Sequence, residues 1–274
     1  MKLTKARNGM LAFFVALFVL LWLTPFVYVL FTALKSPDEY FSTNPLAFPK
    51  VIAWENFHKA YVVLDSYFVN NVKLVVICLP LILLFASMAA YSLARLAFRG
   101  REFWAIFFLV GMMVPISITI VPIYIMFKSL GLINTHTALV LALVAFGLPF
   151  TIFLMRGFFL GIPKEIEESA RIDGCRHWGI YARIIIPISR PILITAAIFN
   201  FMGVWNDFFF SYTFIQDNDK LTLNVGLLAF TKQFVTEYNS LTAGMILIIL
   251  PSFVLFVIFQ RYIMARTNDG AVKG

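Results

Sequence analysis

The stretch Ile162–Pro187, IPKEIEESARIDGCRHWGIYARIIIP, is the longest strongly polar interval between two very apolar blocks, and its reading decides what the rest of the chain is. Pro163 suits the first position of a helix, and Glu165, Glu167 and Glu168 follow in the opening turns, where the helix dipole favours negative charge. At helical periodicity Ile166, Ser169, Ala170 and Asp173 share one face. Lys164, Glu167, Glu168 and Arg171 share the opposite one, with Glu167 and Arg171 in the favourable i,i+4 order. Gly174 supplies a C-terminal stop. A second helical stretch carries Trp178, Tyr181 and Ile185 on one side and Arg176 and Arg183 on the other. Periodicity alone leaves two readings open: a solvated basic loop held to lipid headgroups by Trp178 and the arginines, or a two-helix docking element.

The blocks on either side belong in lipid. The chain of 274 residues is 61% hydrophobic and 13% charged. Globular chains are roughly 45–50% apolar and about 25% charged. Apolar runs of membrane-spanning length place helices at about 9–34, 74–95, 103–127, 137–158, 191–213 and 240–262. The first run is too long for the apolar core of a signal peptide and reads as a retained span. The fifth contains Asp207, and topology argues for keeping it. With six spans and both termini cytoplasmic, 15 of the 22 Lys and Arg residues, including every Arg, fall inside and 7 outside, as the positive-inside rule prefers. The expected fold is therefore an all-α integral membrane protein of six transmembrane helices, a single domain over 1–274. Loop 162–190 lies between spans 4 and 5 on the cytoplasmic side, and the tail is 263–274.

The +8 net charge sits beside these spans, so anionic lipid, not nucleic acid, is its expected partner. Cys78 and Cys175 form no disulfide framework. His58, His136 and His177 fall in no metal-ligand spacing, and no G-x-x-x-x-G-K-[ST] or G-x-S-x-G occurs, so no catalytic residue, metal or cofactor is expected on this chain. Within the spans, Asn200, Trp205, Asn206 and Asp207 form the polar group. An intramembrane acid is a functional-site hypothesis by default, here a translocation path. The alternative is that Asn206 and Asp207 bond neighbouring helices or backbone freed by a proline, or that Asp207 lies near the outer interface. Asn70 and Asn71 read as the cap of the second span. The outer segments Lys35–Asn70 and Ile215–Asn239 suit either an extracytoplasmic partner or plain connection.

The polar loop resembles the signature loop of permease subunits in binding-protein-dependent ABC importers, written EAA, three residues, G, nine residues, I-x-L-P. Glu168, Ser169 and Ala170 stand at EAA, Gly174 at the glycine, and Ile184, Ile186 and Pro187 at the end, with Ser for Ala and Ile for Leu. The stretches Ala89–Arg101, Val121–Leu141, Phe150–Gly174, Trp205–Phe210 and Gly270–Gly274 are similar to the same family, in particular to the smaller permease subunit of maltose and multiple-sugar transporters.

The resemblance implies a bacterial or archaeal cytoplasmic membrane protein paired with a second, different permease. Two ATPase subunits would carry ATP and Mg, and an extracytoplasmic binding protein would deliver a sugar or oligosaccharide for alternating access. It makes Glu167, Glu168, Ser169, Ala170, Arg171, Asp173, Gly174, Ile184 and Pro187 the ATPase-coupling loop. Asn268, Gly270, Lys273 and Gly274 become a tail that meets the ATPase dimer. Other expectations remain: glycerol-phosphate or another polar solute as cargo, or a secondary transporter or channel, which needs no ATPase. A lipid-directed enzyme would need an interfacial nucleophile or acid pair, and none is visible.

Overall fold

The computed structural model describes residues 2–231 and 236–270, with side chains from Met10 to Gln260. The chain order is α1 (Lys2–Leu34), α2 (Pro37–Ser42), α3 (Glu55–Arg95), α4 (Arg101–Gly111), α5 (Ile116–Ser129), α6 (His136–Leu160) and α7 (Lys164–Ile172). Then come α8 (His177–Ile180), a π-helical turn over Tyr181–Ile185, α9 (Ile186–Ile188), α10 (Arg190–Trp205), α11 (Phe209–Phe214), α12 (Leu223–Gly226) and α13 (Tyr238–Gly270). Among the described residues extended pairing is confined to one bridge, Thr231 with Thr236. The all-α membrane fold expected from the sequence is borne out: among the described residues five helices are long and apolar enough to cross a membrane, six when the bent pair α4–α5 counts as one span.

Two expected spans differ in form. The run at 103–127 is not one rod: α4 and α5 meet at 102°. Pro115 cannot continue a helix and disfavours helical backbone at Val114, so the chain turns between them. The second span was expected from 74, yet α3 begins at Glu55, so Asn70 and Asn71 lie well inside a helix and cap nothing.

The chain divides into two units. One comprises 1–65 and 226–251. There the C-terminal carbonyls of α1 are met by two side-chain amides: Asn56 donates to Ala33 and Lys35 oxygens at 2.9 and 2.8 Å, Asn239 to Thr32 and Lys35 oxygens at 2.9 and 2.8 Å. Lys35 is fully buried, its Nζ donating to the Asn44 carbonyl at 2.7 Å.

The other unit comprises 66–225 and 252–274. Its centre is α6, which packs against α10 and α4. Lipid removes the hydrophobic drive between helices, so close approach of small residues and interhelical hydrogen bonds must hold them. The buried positions fit that rule: Ala86, Ala90, Ala138, Ala142 and Ala196 are 0–3% exposed. Gly147 lets Asn200 and Ile82 approach so closely that a Cβ there would meet each at 2.8 Å. One buried cluster joins Ala86, Ala90, Met155 and Phe159 to Ala170, Ile180 and Ile185 of the polar loop. A second joins Leu74, Cys78 and Leu139 to Val204, Phe210 and Phe214.

Candidate functional site

The polar loop folds as its punctuation requires. α7 starts after Pro163 and stops where Gly174 turns left-handed at φ 83. The Gly174 amide donates to the Arg171 carbonyl at 3.0 Å and the Cys175 amide to the Ala170 carbonyl at 2.9 Å, the paired bonds of a Schellman cap. Only a residue without Cβ adopts that φ at no cost.

The helix is turned differently from the expected two-face split. Glu167 and Ala170 are buried, at 4% and 5% exposure, whereas Ser169, Glu168, Arg171 and Asp173 are exposed and Ile172 is 87% exposed. Glu167 does not pair with Arg171. Its Oε1 stands 3.0 Å from Arg95 Nε at the end of α3, and both side chains are 5–6% exposed. A carboxylate removed from water needs a partner that is also removed from water, and Arg171 stays in solvent. Arg95 also donates to the carbonyls of Phe159 and Ile162, where α6 ends. In return Arg156 of α6 reaches the Leu93 carbonyl of α3 at 3.5 Å. The small Ala170 seats α7 against the buried cluster, and the rest of the helix projects.

The second half of the loop winds through the π turn, in which the Ile186 amide reaches back to the Tyr181 carbonyl. Pro187 has no amide to offer the ladder and its ring crowds the preceding turn, conditions that favour such a bulge. Tyr181 and Ile185 are buried. Tyr181 Oη lies 2.8 Å from Ser87 Oγ. Trp178 lies on the same side, its ring 5.2 Å from that of Tyr181, but is 63% exposed. Ile184 is half-buried and Pro187 exposed.

The intramembrane polar group is not brought together as one lining. Asn200 is buried and donates to Thr151 Oγ1 at 2.7 Å and to the Ala196 carbonyl at 2.8 Å, which makes it a clasp between α10 and α6. Trp205 is 2% exposed, its ring stacked on Phe201 at 5.4 Å. Its carbonyl accepts from Asn71 at 3.0 Å and from Asn224 at 2.9 Å. Asp207 sits in the break between α10 and α11 and accepts from the Phe210 and Ser211 amides at 3.3 and 3.1 Å, an N-terminal cap of α11. Asn206 alone of the four is exposed, its amide donating to the Met202 carbonyl at 2.9 Å. Of the alternative open in the sequence for Asn206 and Asp207, the geometry shows bonding to nearby backbone, but at a helix break that contains no proline; the bond to a neighbouring helix is made by Asn200.

Beyond that break, Asn134 adopts φ 64, and its side chain grips the chain after α11. Its Oδ1 accepts from the Gln216 and Asp217 amides at 3.1 and 3.0 Å, and its Nδ2 donates to Asp217 Oδ2 at 2.7 Å. Asn70 donates to the Asp219 and Leu221 carbonyls at 2.7 and 3.1 Å. These asparagines, which sequence reasoning missed or read as caps, hold the segment 205–224 in place. Among the described residues no His, Cys, Asp and Glu side chains gather as a metal site. Of the tail positions, Lys273 and Gly274 lie outside the described residues, as does the side chain of Asn268, and Gly270 is the last residue of α13.

Residues 82–269 match the family model described as "Binding-protein-dependent transport system inner membrane component". The chain belongs to this family. The permease is 34% identical over 263 residues, 93% of its own length and 87% of the other's, to the diacetylchitobiose uptake system permease protein NgcG of Streptomyces coelicolor. It is 36% identical over 230 residues to the arabinooligosaccharides transport system permease protein AraQ of Halalkalibacterium halodurans, covering 82% of this chain and 81% of that one. In fold it resembles a chain of a solved bacterial ABC transporter involved in import of the acidic polysaccharide alginate, with a TM-score of 0.84 over 94% of this chain and 96% of that one, at 21% identity. The matched region begins inside α3 and so contains Arg95, the residue of the permease that sequence reasoning missed beside the loop. The one signal for it was an Arg closing the long apolar run Leu74–Ala94.

Proposed function

We propose that this permease moves an oligosaccharide, handed over by an extracytoplasmic binding protein, into the cytoplasm by alternating access, as the membrane half of an ATP-driven importer. The observation that carries the reading is the build of α7: Glu167 and Ala170 root it in the bundle, and Ile172, 87% exposed, projects with Ser169 and Asp173. A projecting helix rooted by buried contacts suits force transmission to a partner, and an exposed Ile suits a partner's cleft. That partner is the ATPase, two copies of which hold ATP and Mg while this chain holds neither. Both termini and the loop then face the cytoplasm, and a second, different permease completes the pathway. The relatives' stated cargoes, diacetylchitobiose and arabinooligosaccharides, support the oligosaccharide class. With Asn200 and Asp207 occupied internally, the second permease supplies most of the cargo contacts.

The test is co-expression of the tagged chain with its neighbouring genes, purification, and an ATPase assay in proteoliposomes with candidate oligosaccharides and the binding protein. A complex containing an ATPase, stimulated by one loaded binding protein, is the expected result and names the cargo. A chain that purifies alone, with uptake surviving ATP depletion, sinks the proposal in favour of a gradient-driven carrier.

A further inference from the structure

We propose that Arg95 is the positioning residue of the coupling helix: one buried guanidinium locks α7 to the ends of α3 and α6, so that the three move as a single body. The inference rests on the reading of α7 as the coupling element. Three independent groups converge on Arg95: the Glu167 carboxylate at 3.0 Å, and the carbonyls of Phe159 and Ile162 at the end of α6. Arg and Glu are both out of solvent, at 5% and 6% side-chain exposure, so water cannot compete for either. A planar guanidinium spreads five donors over three nitrogens in a fixed fork, whereas the three donors of a lysine ammonium sit on one nitrogen and do not reproduce that spread across a carboxylate and two carbonyls. The cation also sits at the C-terminus of α6, where the helix dipole favours it. Three residues, Gly161 to Pro163, separate α6 from α7, and the Ile162 carbonyl inside that connector is one of the groups Arg95 holds. Connector, preceding helix and coupling helix are thus fixed by one side chain from a fourth piece of chain.

The experiment uses the whole complex in proteoliposomes and reads ATP hydrolysed per oligosaccharide imported, with Arg95→Met, Arg95→Lys and Glu167→Gln. Arg95→Met raises that ratio by about tenfold or more, because a misplaced transmitting element wastes turnover. Arg95→Lys raises it nearly as much. Glu167→Gln, which keeps the shape and leaves the two carbonyl bonds, raises it less. A wild-type ratio in Arg95→Met at equal assembly overturns the proposal. Should Arg95→Met fail to assemble, a wild-type ratio in both Arg95→Lys and Glu167→Gln overturns it equally. A second readout does not need the ATPase and so separates this proposal from the functional one. Spin labels at Ile172→Cys on α7 and Phe153→Cys on α6, with Cys175→Ser, give a narrow distance distribution that Arg95→Lys broadens. An unchanged distribution would show that α7 is held by packing alone.

Discussion

Gly174 and Gly147 are both glycine for reasons a single added carbon would expose, and the reasons differ. At Gly174 the backbone is left-handed and nothing stands within 4 Å of a Cβ, so the demand is conformational. A β-branched side chain there costs roughly 1–2 kcal/mol of local strain and removes the Schellman cap that ends α7. Gly174→Val is expected to insert and assemble at near-normal levels but to abolish uptake, measured by transport of labelled oligosaccharide against the amount of protein in the membrane. At Gly147 the demand is spatial, since a Cβ would meet Asn200 Oδ1 and Ile82 Cδ1 at 2.8 Å. The Asn200 amide is already committed to Thr151 and Ala196 and cannot swing away freely. Gly147→Ala should lower stability by about 1–3 kcal/mol, read as a drop in thermal midpoint of the detergent-solubilised protein. The first of these glycines was legible in the sequence, because a glycine after a charged, periodic run is a helix stop. The second was not: Gly147 sits in an unbroken apolar run, and only the partner helix reveals what it makes room for. The Arg95–Glu167 pair was hidden for the same reason, its members lying far apart in the chain with a nearer arginine, Arg171, available to mislead.

Among the elements, the polar loop could be read because polar residues among apolar ones leave a strong period: α7 stands where that period placed it, whereas the second helical stretch is the short α8 continued by the π turn over Tyr181–Ile185. The bend between α4 and α5 could not be read as a bend, since hydropathy averages over Pro115 and reports one apolar run. The segment after α11 was equally opaque: its order comes from side chains on α3 and in the α5–α6 connection. There Asp217 is held below the ordinary carboxylate range by the hydrogen bond from Lys220 and next by that from Asn134. A depressed pKa means the folded turn prefers the ionised acid. Its contribution is therefore complete above the unfolded carboxylate pKa of about 3.9 and is lost as pH falls below that value. Lys220 is displaced upward, chiefly by its bond to Asp217, so its share is complete below the unfolded amine pKa of about 10.4 and is lost as pH rises through the higher folded value. Both groups are solvent-exposed and the effect is local. Amide exchange over 214–222, corrected for intrinsic rate, should be flat from about pH 5 to 9 and quicken below about pH 4. Asn134→Ala, which deletes three bonds to this segment, should quicken it at every pH.

For the whole molecule, the bent pair decides how many times the chain crosses the membrane. A break in lipid is tolerated only where the freed backbone groups find partners. At the α4 side of this one they do: the Phe108 and Leu109 carbonyls accept from the Met112 amide at 3.3 and 3.2 Å, and the Val110 carbonyl from the Met113 amide at 2.9 Å. The bend can therefore sit inside the bilayer as part of a single crossing. Two exposed positions read out the consequence: Phe41, 77% exposed after α1, and Ile172, 87% exposed on α7. If α4 and α5 together cross once, α3, the pair and α6 make three crossings between these positions, and the two lie on opposite sides. If the pair enters and returns, only α3 and α6 cross, and they lie on the same side. Labelling of Phe41→Cys and Ile172→Cys by a membrane-impermeant thiol reagent, each with Cys175→Ser, separates the cases. Phe41→Cys is expected to react only in right-side-out vesicles and Ile172→Cys only in inverted ones. Reaction of both from one side would reduce the count to five and leave α7 facing away from any cytoplasmic ATPase. A reversed pattern would keep six crossings and overturn the orientation that the arginines imply.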